Sequence, residues 1–332
     1  MTVPTVRLPG TGLEVSQLCL GTAAFSASGG PDWTIRDADR CLAIVDRALE
    51  CGINFLDTAN IYGGGESEQL VGEAIAGRRE EVVLASKVGK RTGRGPNRVG
   101  LSRSHVYEAI EDTLARLDTD YLDLYYIHQW DPHTSIDELV QTLDALVADE
   151  LVRYIGASNL LGWQLAAAIE RAERYDRERF VCVQPEYNLV ARHEEANLLP
   201  VAAAYDVGVC PYAPLAAGFL ATADPDEEPP TYRDLSVYDS QERCAVRTIV
   251  TDLATQRDVS PVEVSVAWLL TRPIVTAPIV GPRTVEQLET YVAALDISLT
   301  DAEIARLEAP IEPVWNRQMM NWDWTDGPFE LA

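Results

Sequence analysis

Short apolar runs rich in β-branched residues recur along the chain, and nearly every one is followed by a stretch whose apolar positions repeat every three to four residues. The runs predict strands at 18–21, 53–57, 82–87, 121–128, 153–158, 181–184, 208–212 and 277–280. Between and after them, amphipathic helices are predicted near 37–50, 66–76, 102–117, 135–149, 162–173, 194–205, 242–257 with 261–271, and 284–294. The helix at 102–117 carries the local signals well: Ser102 as its cap, then Val106, Ile110, Leu114 and Leu117 on one face. Ser260-Pro261 places a cap before proline at the first helical position. Strand–helix alternation of this kind implies parallel strands joined by helical crossovers. Eight units fit a closed (β/α)8 barrel of the TIM type better than an open doubly wound sheet.

Within residues 1–15, the segment Val6–Val15 has a Pro-Gly turn between two strand-like runs and is expected to form a hairpin closing the barrel bottom. No repeat and no linker interrupts the pattern, so residues 1–332 are expected to form one domain. Two long connections, 88–101 and 214–241, are expected to be functional, as ordered lids, or disordered, and a tail follows at 310–332. The tail carries Trp315, Trp322 and Trp324 within ten positions.

Composition narrows the class. Hydrophobic residues make up 47% of the chain, enough for a real core, so a disordered reading is excluded. No apolar run is long enough to cross a membrane, and no secretory leader is visible, so a cytoplasmic protein is expected. The six cysteines show neither CxxC spacing nor pairing with the four histidines; they read as small buried hydrophobes, and no metal site is expected. The net charge of −25 argues against nucleic acid and anionic lipid as partners. Lys87 and Lys90 are the only lysines, against 25 arginines. An acid-rich, lysine-poor surface suits concentrated salt, where self-repulsion is screened. A G+C-rich genome accounts for the missing lysines but not for the acid excess. Residues 82–107 invert the balance: they contain no acid and carry Lys87, Lys90, Arg91, Arg94, Arg98 and Arg103. That stretch is either a positive rim for an anionic ligand or a loop whose arginines pair with surface acids.

A barrel enzyme builds its site at the carboxyl ends of its strands. Those ends carry Asp57 and Tyr62 after the second strand, Lys87 at the end of the third and His128 at the end of the fourth. A lysine ammonium beside a phenol is expected to lower its pKa, with the carboxylate holding the lysine and the imidazole orienting a carbonyl oxygen or helping to relay a proton. Each residue also has an ordinary explanation. Asp57 could cap a helix, Tyr62 could be packing, and a lone histidine is more often structural. Lys87, closing an apolar run in a chain with two lysines, is the hardest to explain that way.

Asn54–Glu68 (NFLDTANIYGGGESE), Ala85–Val88 and Asp123–His128 resemble the signatures of the aldo-keto reductases. The resemblance continues through Ile155–Asn159, Val183–Asn188, Tyr212–Gly218 and Ile279–Leu288, in family order. It implies a (β/α)8 carbonyl reductase using NADP(H) or NAD(H) without a Rossmann domain, and no G-x-G-x-x-G follows any strand here. By resemblance, Asp57, Tyr62, Lys87 and His128 form a catalytic tetrad in which Tyr62 protonates the carbonyl oxygen as hydride arrives. Ser158, Asn159 and Gln184 would hold the nicotinamide carboxamide and Tyr212 would stack on its ring. Ala213, Pro214, Leu215, Gly218 and Leu220 would run along the pyrophosphate, with Gly21, Thr22 and Asp57 nearby. Gly281, Arg283 and Gln287 would meet the adenosine end, Arg283 facing a 2′-phosphate. Trp33 and Trp130, with Tyr62 and His128, are candidates for the substrate pocket, and the resemblance implies that the tail at 310–332 lies near it, its three tryptophans serving as pocket walls or as a face buried against another subunit. Thr290 and Tyr291 depart from the acid and asparagine that the family often places after this glutamine.

Two rival functions share this fold. One is an NAD(P)-dependent aldose or alcohol dehydrogenase, the same chemistry in the oxidative direction. The other is a cofactor-binding regulatory subunit of the channel-β type; such subunits can lack the histidine that this chain keeps as His128. In either catalytic direction the partner is a small carbonyl or alcohol. An oligomer is possible, but the sequence does not show one.

Overall fold

Strand after strand is buried on both faces, which is why the sequence reads as continuous apolar runs rather than alternating ones. The computed structural model describes residues 2–222, 231 and 234–311. An antiparallel hairpin, β1 (Thr5–Arg7) and β2 (Glu14–Ser16), precedes the parallel strands. These are β3 (Cys19–Gly21), β4 (Phe55–Asp57), β5 (Val83–Val88), β6 (Leu122–Ile127), β7 (Val152–Ser158), β8 (Phe180–Gln184), β9 (Gly208–Val209) and β10 (Ile279–Val280). Between and after them lie α1 (Ala38–Glu50), α2 (Glu66–Ala74), α3 (Arg103–Leu117), α4 (Ile136–Ala148), α5 (Gly162–Arg174), α6 (Leu198–Ala204), α7 (Gln241–Arg257), α8 (Pro261–Leu270), α9 (Val285–Ala293) and α10 (Asp301–Glu308).

The strands run in the order β10-β3-β4-β5-β6-β7-β8-β9. The two ends of that order meet: Val209 pairs with Val275, Thr276 N–H donates to Val209 O at 2.8 Å, and Ile279 N–H to Pro211 O at 2.8 Å. The fold is therefore the expected (β/α)8 barrel. Its eight strands fall within or across all eight predicted runs, though the seventh and eighth are only two residues long.

Two apolar layers hold it together. Inside the barrel pack Leu8, Val15, Cys19, Phe55, Leu124, Tyr126, Cys182 and Cys210, and the larger layer lies between strands and helices. Leu8 and Val15 come from the hairpin, so the hairpin plugs one end. Ser16 identifies that end: its Oγ accepts the N–H groups of Asn54 at 3.1 Å and Phe55 at 3.2 Å, where β4 begins. The opposite, carboxyl end is left for the site. Ser102 caps α3, and Ser260 forms a capping box with Glu263, both as expected.

Helix α10 lies beyond the predicted helices. Its signal was present as Thr300 and Glu303, which form a capping box, and it is pinned to α7 by Arg257–Glu303 at 2.6 Å and Arg306–Asp252 at 3.0 Å. The 194–205 segment splits into a short 3₁₀ turn at His193–Ala196 and α6. In the basic stretch, Arg98 pairs with Glu108 at 2.7 Å and Asp112 at 3.7 Å, and Arg91 donates to backbone carbonyls, so part of its charge is spent locally. All six cysteines are free, and five are buried. Among the described residues no helix is long and apolar enough to cross a membrane, and no group of histidine, cysteine and acidic residues could hold a metal. Residues 224–230, with Trp315, Trp322 and Trp324, lie outside the described residues.

Candidate active site

Asp57 ends β4, Lys87 is the fifth of six residues in β5, and His128 follows β6 directly. In the parallel register Asp57 lies opposite Ala85, and Lys87 opposite Tyr126, so three adjacent strands deliver the three side chains to one rim. Tyr62 arrives from the turn after β4. The chain leaves it through Gly63, Gly64 and Gly65, with φ of 56°, 68° and 105°, a path that side chains would strain.

The four groups meet. Lys87, with no exposed surface, donates from Nζ to Asp57 Oδ2 at 2.5 Å, to Thr58 O at 2.8 Å and to Tyr62 OH at 3.2 Å. Asp57 is thus an acceptor for Lys87, and the cap of α2 is Gly65, which removes the helix-cap explanation. The rings of Tyr62 and His128 stand edge to face, 5.8 Å apart. Burial alone pulls Lys87 down, but Asp57 and then Tyr62 reverse that and hold its pKa above the ordinary lysine value. Burial pushes the Tyr62 phenol up, Lys87 opposes it and Asp57 adds to it, and the net direction is upward. This differs from the expectation that Lys87 lowers the phenol. Desolvation is the larger effect, and the nearby carboxylate offsets much of the ammonium's pull. His128 is driven down to about 2 by burial first, then by Lys87 and Lys90, so its imidazole is neutral. Its Nδ1 is buried without a hydrogen-bond partner among the described residues.

The ends of β7 and β8 continue this network. Ser158 Oγ donates to Gln184 O at 2.8 Å, and Asn159 Nδ2 donates to His128 O at 2.8 Å and Ser158 Oγ at 2.9 Å. Gln184 Nε2 donates to Asp57 Oδ1 at 2.9 Å, and Tyr212 OH to Asn159 Oδ1 at 2.9 Å. Thr22 Oγ1 donates to Asp57 O at 3.0 Å. Gly21 is packed against β10, where an added Cβ would meet Ile279 Cγ2 at 2.6 Å.

The segment after Tyr212 is strained. Ala213, Ala216 and Ala217 all have positive φ, 54°, 50° and 57°, at a cost on the order of 1–2 kcal/mol each. Buried Asn188 braces the first by donating from Nδ2 to Ala213 O at 2.9 Å. Pro214, Leu215 and Leu220 are buried, so this stretch presents backbone rather than side chains there. On the far side, Arg283 backbone N–H donates to Gln287 Oε1 at 2.8 Å, and an added Cβ on Gly281 would meet nothing within 4 Å among the described residues. Thr290 Oγ1 donates to Glu286 O at 2.9 Å, and Tyr291 is buried in the core, so its departure from the family pattern is a packing residue.

Trp130 packs edge-on against Trp163 at 6.4 Å, and its backbone N–H donates to Asn159 O at 3.3 Å. Trp163, 61% exposed in the first turn of α5, was not singled out in the sequence because only the fold brings it beside His128's loop. Trp33 is half-buried in the segment before α1. Also missed was the support behind Lys87. Fully buried Glu68 on α2 accepts from Ser86 Oγ at 2.6 Å and from Arg116 Nε of α3 at 2.6 Å.

The sequence profile of the Aldo/keto reductase family matches residues 17–312. Among relatives, an uncharacterized oxidoreductase, YrpG, of Bacillus subtilis is 38% identical over 91% of this chain and 94% of its own. Norsolorinic acid reductase stcV of Emericella nidulans is 34% identical over 92% of this chain and 81% of its own. Versiconal hemiacetal acetate reductase of Aspergillus parasiticus is 32% identical over 92% and 96%. With the barrel, the tetrad geometry and this breadth of similarity together, the chain belongs to the aldo/keto reductase family of oxidoreductases.

Proposed function

We propose that this chain reduces an aldehyde or ketone to an alcohol with NADP(H), acting as a single barrel domain. The observation that carries the proposal is Lys87 Nζ, shared between Asp57 Oδ2 at 2.5 Å and Tyr62 OH at 3.2 Å. The residues present suit a nicotinamide cofactor. An added Cβ on Gly281 would meet nothing among the described residues, Ala213, Ala216 and Ala217 hold positive φ in the Tyr212–Gly218 backbone, and Ser158, Asn159 and Gln184 share one hydrogen-bond network at the ends of β7 and β8. When bound, the cofactor supplies the hydride that reaches the carbonyl carbon.

The proton comes from Tyr62. Its raised pKa keeps the phenol protonated at neutral pH, which is the form a donor needs. As the O–H bond of Tyr62 breaks, a proton moves to the carbonyl oxygen and the phenolate left behind lies 3.2 Å from the Lys87 ammonium. That charge is absent before reaction, so Lys87 stabilises the transition state more than the ground state. Asp57 keeps Lys87 charged and aimed. Neutral His128, at the edge of the Tyr62 ring, is placed to orient the carbonyl oxygen. Trp130 and Trp163 offer an apolar wall to the substrate body. The acid excess and the two lysines support a cytoplasm rich in salt as the working environment.

Fluorescence titration of the protein in concentrated KCl with NADPH and with NADH tests the proposal. Tight NADPH and weak NADH are expected. A preference for NADH would transfer the assignment to an NAD-dependent dehydrogenase. Failure of the folded protein to bind either would remove the enzyme reading.

A further inference from the structure

A cavity of about 310 Å³ opens where the segment before α1 meets the first turn of α9. Its walls include Asp32, Arg36 and Arg40 on one side and Arg283, Thr284 and Gln287 on the other. The two sides are held together by Arg47 of α1, which pairs with Glu289 of α9 at 2.8 Å. Three guanidinium groups in one cavity are out of keeping with a chain of 52 acidic and 27 basic residues. Nor are they all neutralised. Arg36 is matched by Asp32 at 2.9 Å, whereas Arg40 makes no ion pair among the described residues. Glu286, in the first turn of α9, feels Arg40 only as a minor influence behind its bonds to Thr284 and to its own backbone. Gln287 has its Oε1 occupied by the Arg283 backbone N–H, and its amide nitrogen makes no hydrogen bond among the described residues.

Arg40, which faces this cavity without an ion pair among the described residues, suits a compact dianion that its guanidinium can bind through two N–H groups. We propose that Arg40, across the cavity from Arg283, reads the 2′-phosphate of the cofactor. Specificity for NADPH over NADH then depends on α1 as well as on the loop before α9. The proposal rests on the reading of this barrel as a nicotinamide-dependent reductase. It adds a residue from the opposite wall, one that none of the family motifs contains. It also accounts for how the adenosine end can be held although Tyr291 is buried.

Adenosine 2′,5′-bisphosphate and 5′-AMP isolate the contact from the catalytic rim, since neither contains nicotinamide. Calorimetric titration of the whole protein should show tighter binding of the bisphosphate. Arg40→Ala should weaken the bisphosphate by about tenfold and 5′-AMP by less than about twofold, as expected for losing one charge-assisted contact. Arg40→Lys should fall between. Arg40 is exposed on a helix that alanine favours, so an unchanged melting curve is expected to confirm folding. Equal effects on both ligands, no effect on either, or a wild-type protein indifferent to the 2′-phosphate would each overturn the proposal. Companion titrations with NADPH and NADH separate the two levels. Cofactor binding without discrimination by Arg40 sinks only this inference, whereas no binding of either cofactor sinks the functional reading with it.

Discussion

Gln184 Nε2 donates to Asp57 Oδ1 at 2.9 Å across 127 positions of chain. Asp57 spends its other oxygen on Lys87, so its buried carboxylate accepts from Gln184 at the end of β8 and from Lys87 in β5. Gln184 therefore positions Asp57 besides any contact it makes with cofactor. Gln184→Leu keeps the volume and removes the donor, leaving a buried charged oxygen short of one hydrogen bond. A loss of about 1.5–3 kcal/mol is expected. Urea unfolding of the two proteins measures it, and coincident midpoints would show that Asp57 does not depend on this bond.

Tyr62→Phe should lower carbonyl reduction by at least ~10²-fold while cofactor affinity stays close to wild type, because only the proton donor is removed. Because burial raises the phenol's pKa, the wild-type reductive rate should hold through neutral pH and fall only above the ordinary phenol value of about 10. Steady-state kinetics across pH with an aldehyde substrate decide both. Substantial activity in the phenylalanine variant would remove Tyr62 from its role.

His128 contributes to acid sensitivity. Its folded pKa of about 2 lies below the ordinary 6.5, so below pH 6.5 the unfolded chain takes up a proton that the folded one refuses. Stability from this group is complete above 6.5 and is lost as pH falls towards 2, with a slope of up to ~1.4 kcal/mol per pH unit. Burial is the leading cause, so His128→Asn should flatten the dependence of unfolding free energy on pH between 6 and 4.5. Parallel slopes in the two proteins would mean that His128 protonates within the fold.

The net charge of −25 should make the folded state depend on salt. Self-repulsion in the compact state is screened within a Debye length that shrinks to about 3 Å at 1 M. Melting temperature and activity should both rise with KCl into the molar range. A flat response would leave the acid excess without a role in salt adaptation.

Much of this protein was legible along the chain because the signals are local. Apolar run length, helix periodicity, Ser102 and Ser260 as caps, and the placement of Asp57, Lys87 and His128 at strand ends all follow from a few neighbouring residues. Other features needed the closed barrel. The direction of the Tyr62 shift depends on how completely the site is desolvated, which outweighs the lysine beside it. The Gln184–Asp57 bond, the Glu68–Arg116 support, the Trp130–Trp163 contact and the cavity between Arg40 and Arg283 join residues far apart in the chain. Sequence by itself determined the elements and which side chains stand at the strand ends, since those depend on residue type and short-range spacing. Tertiary structure decided which groups meet, how deeply they are buried and therefore which are charged, because desolvation and long-range contact exist only once the barrel has closed.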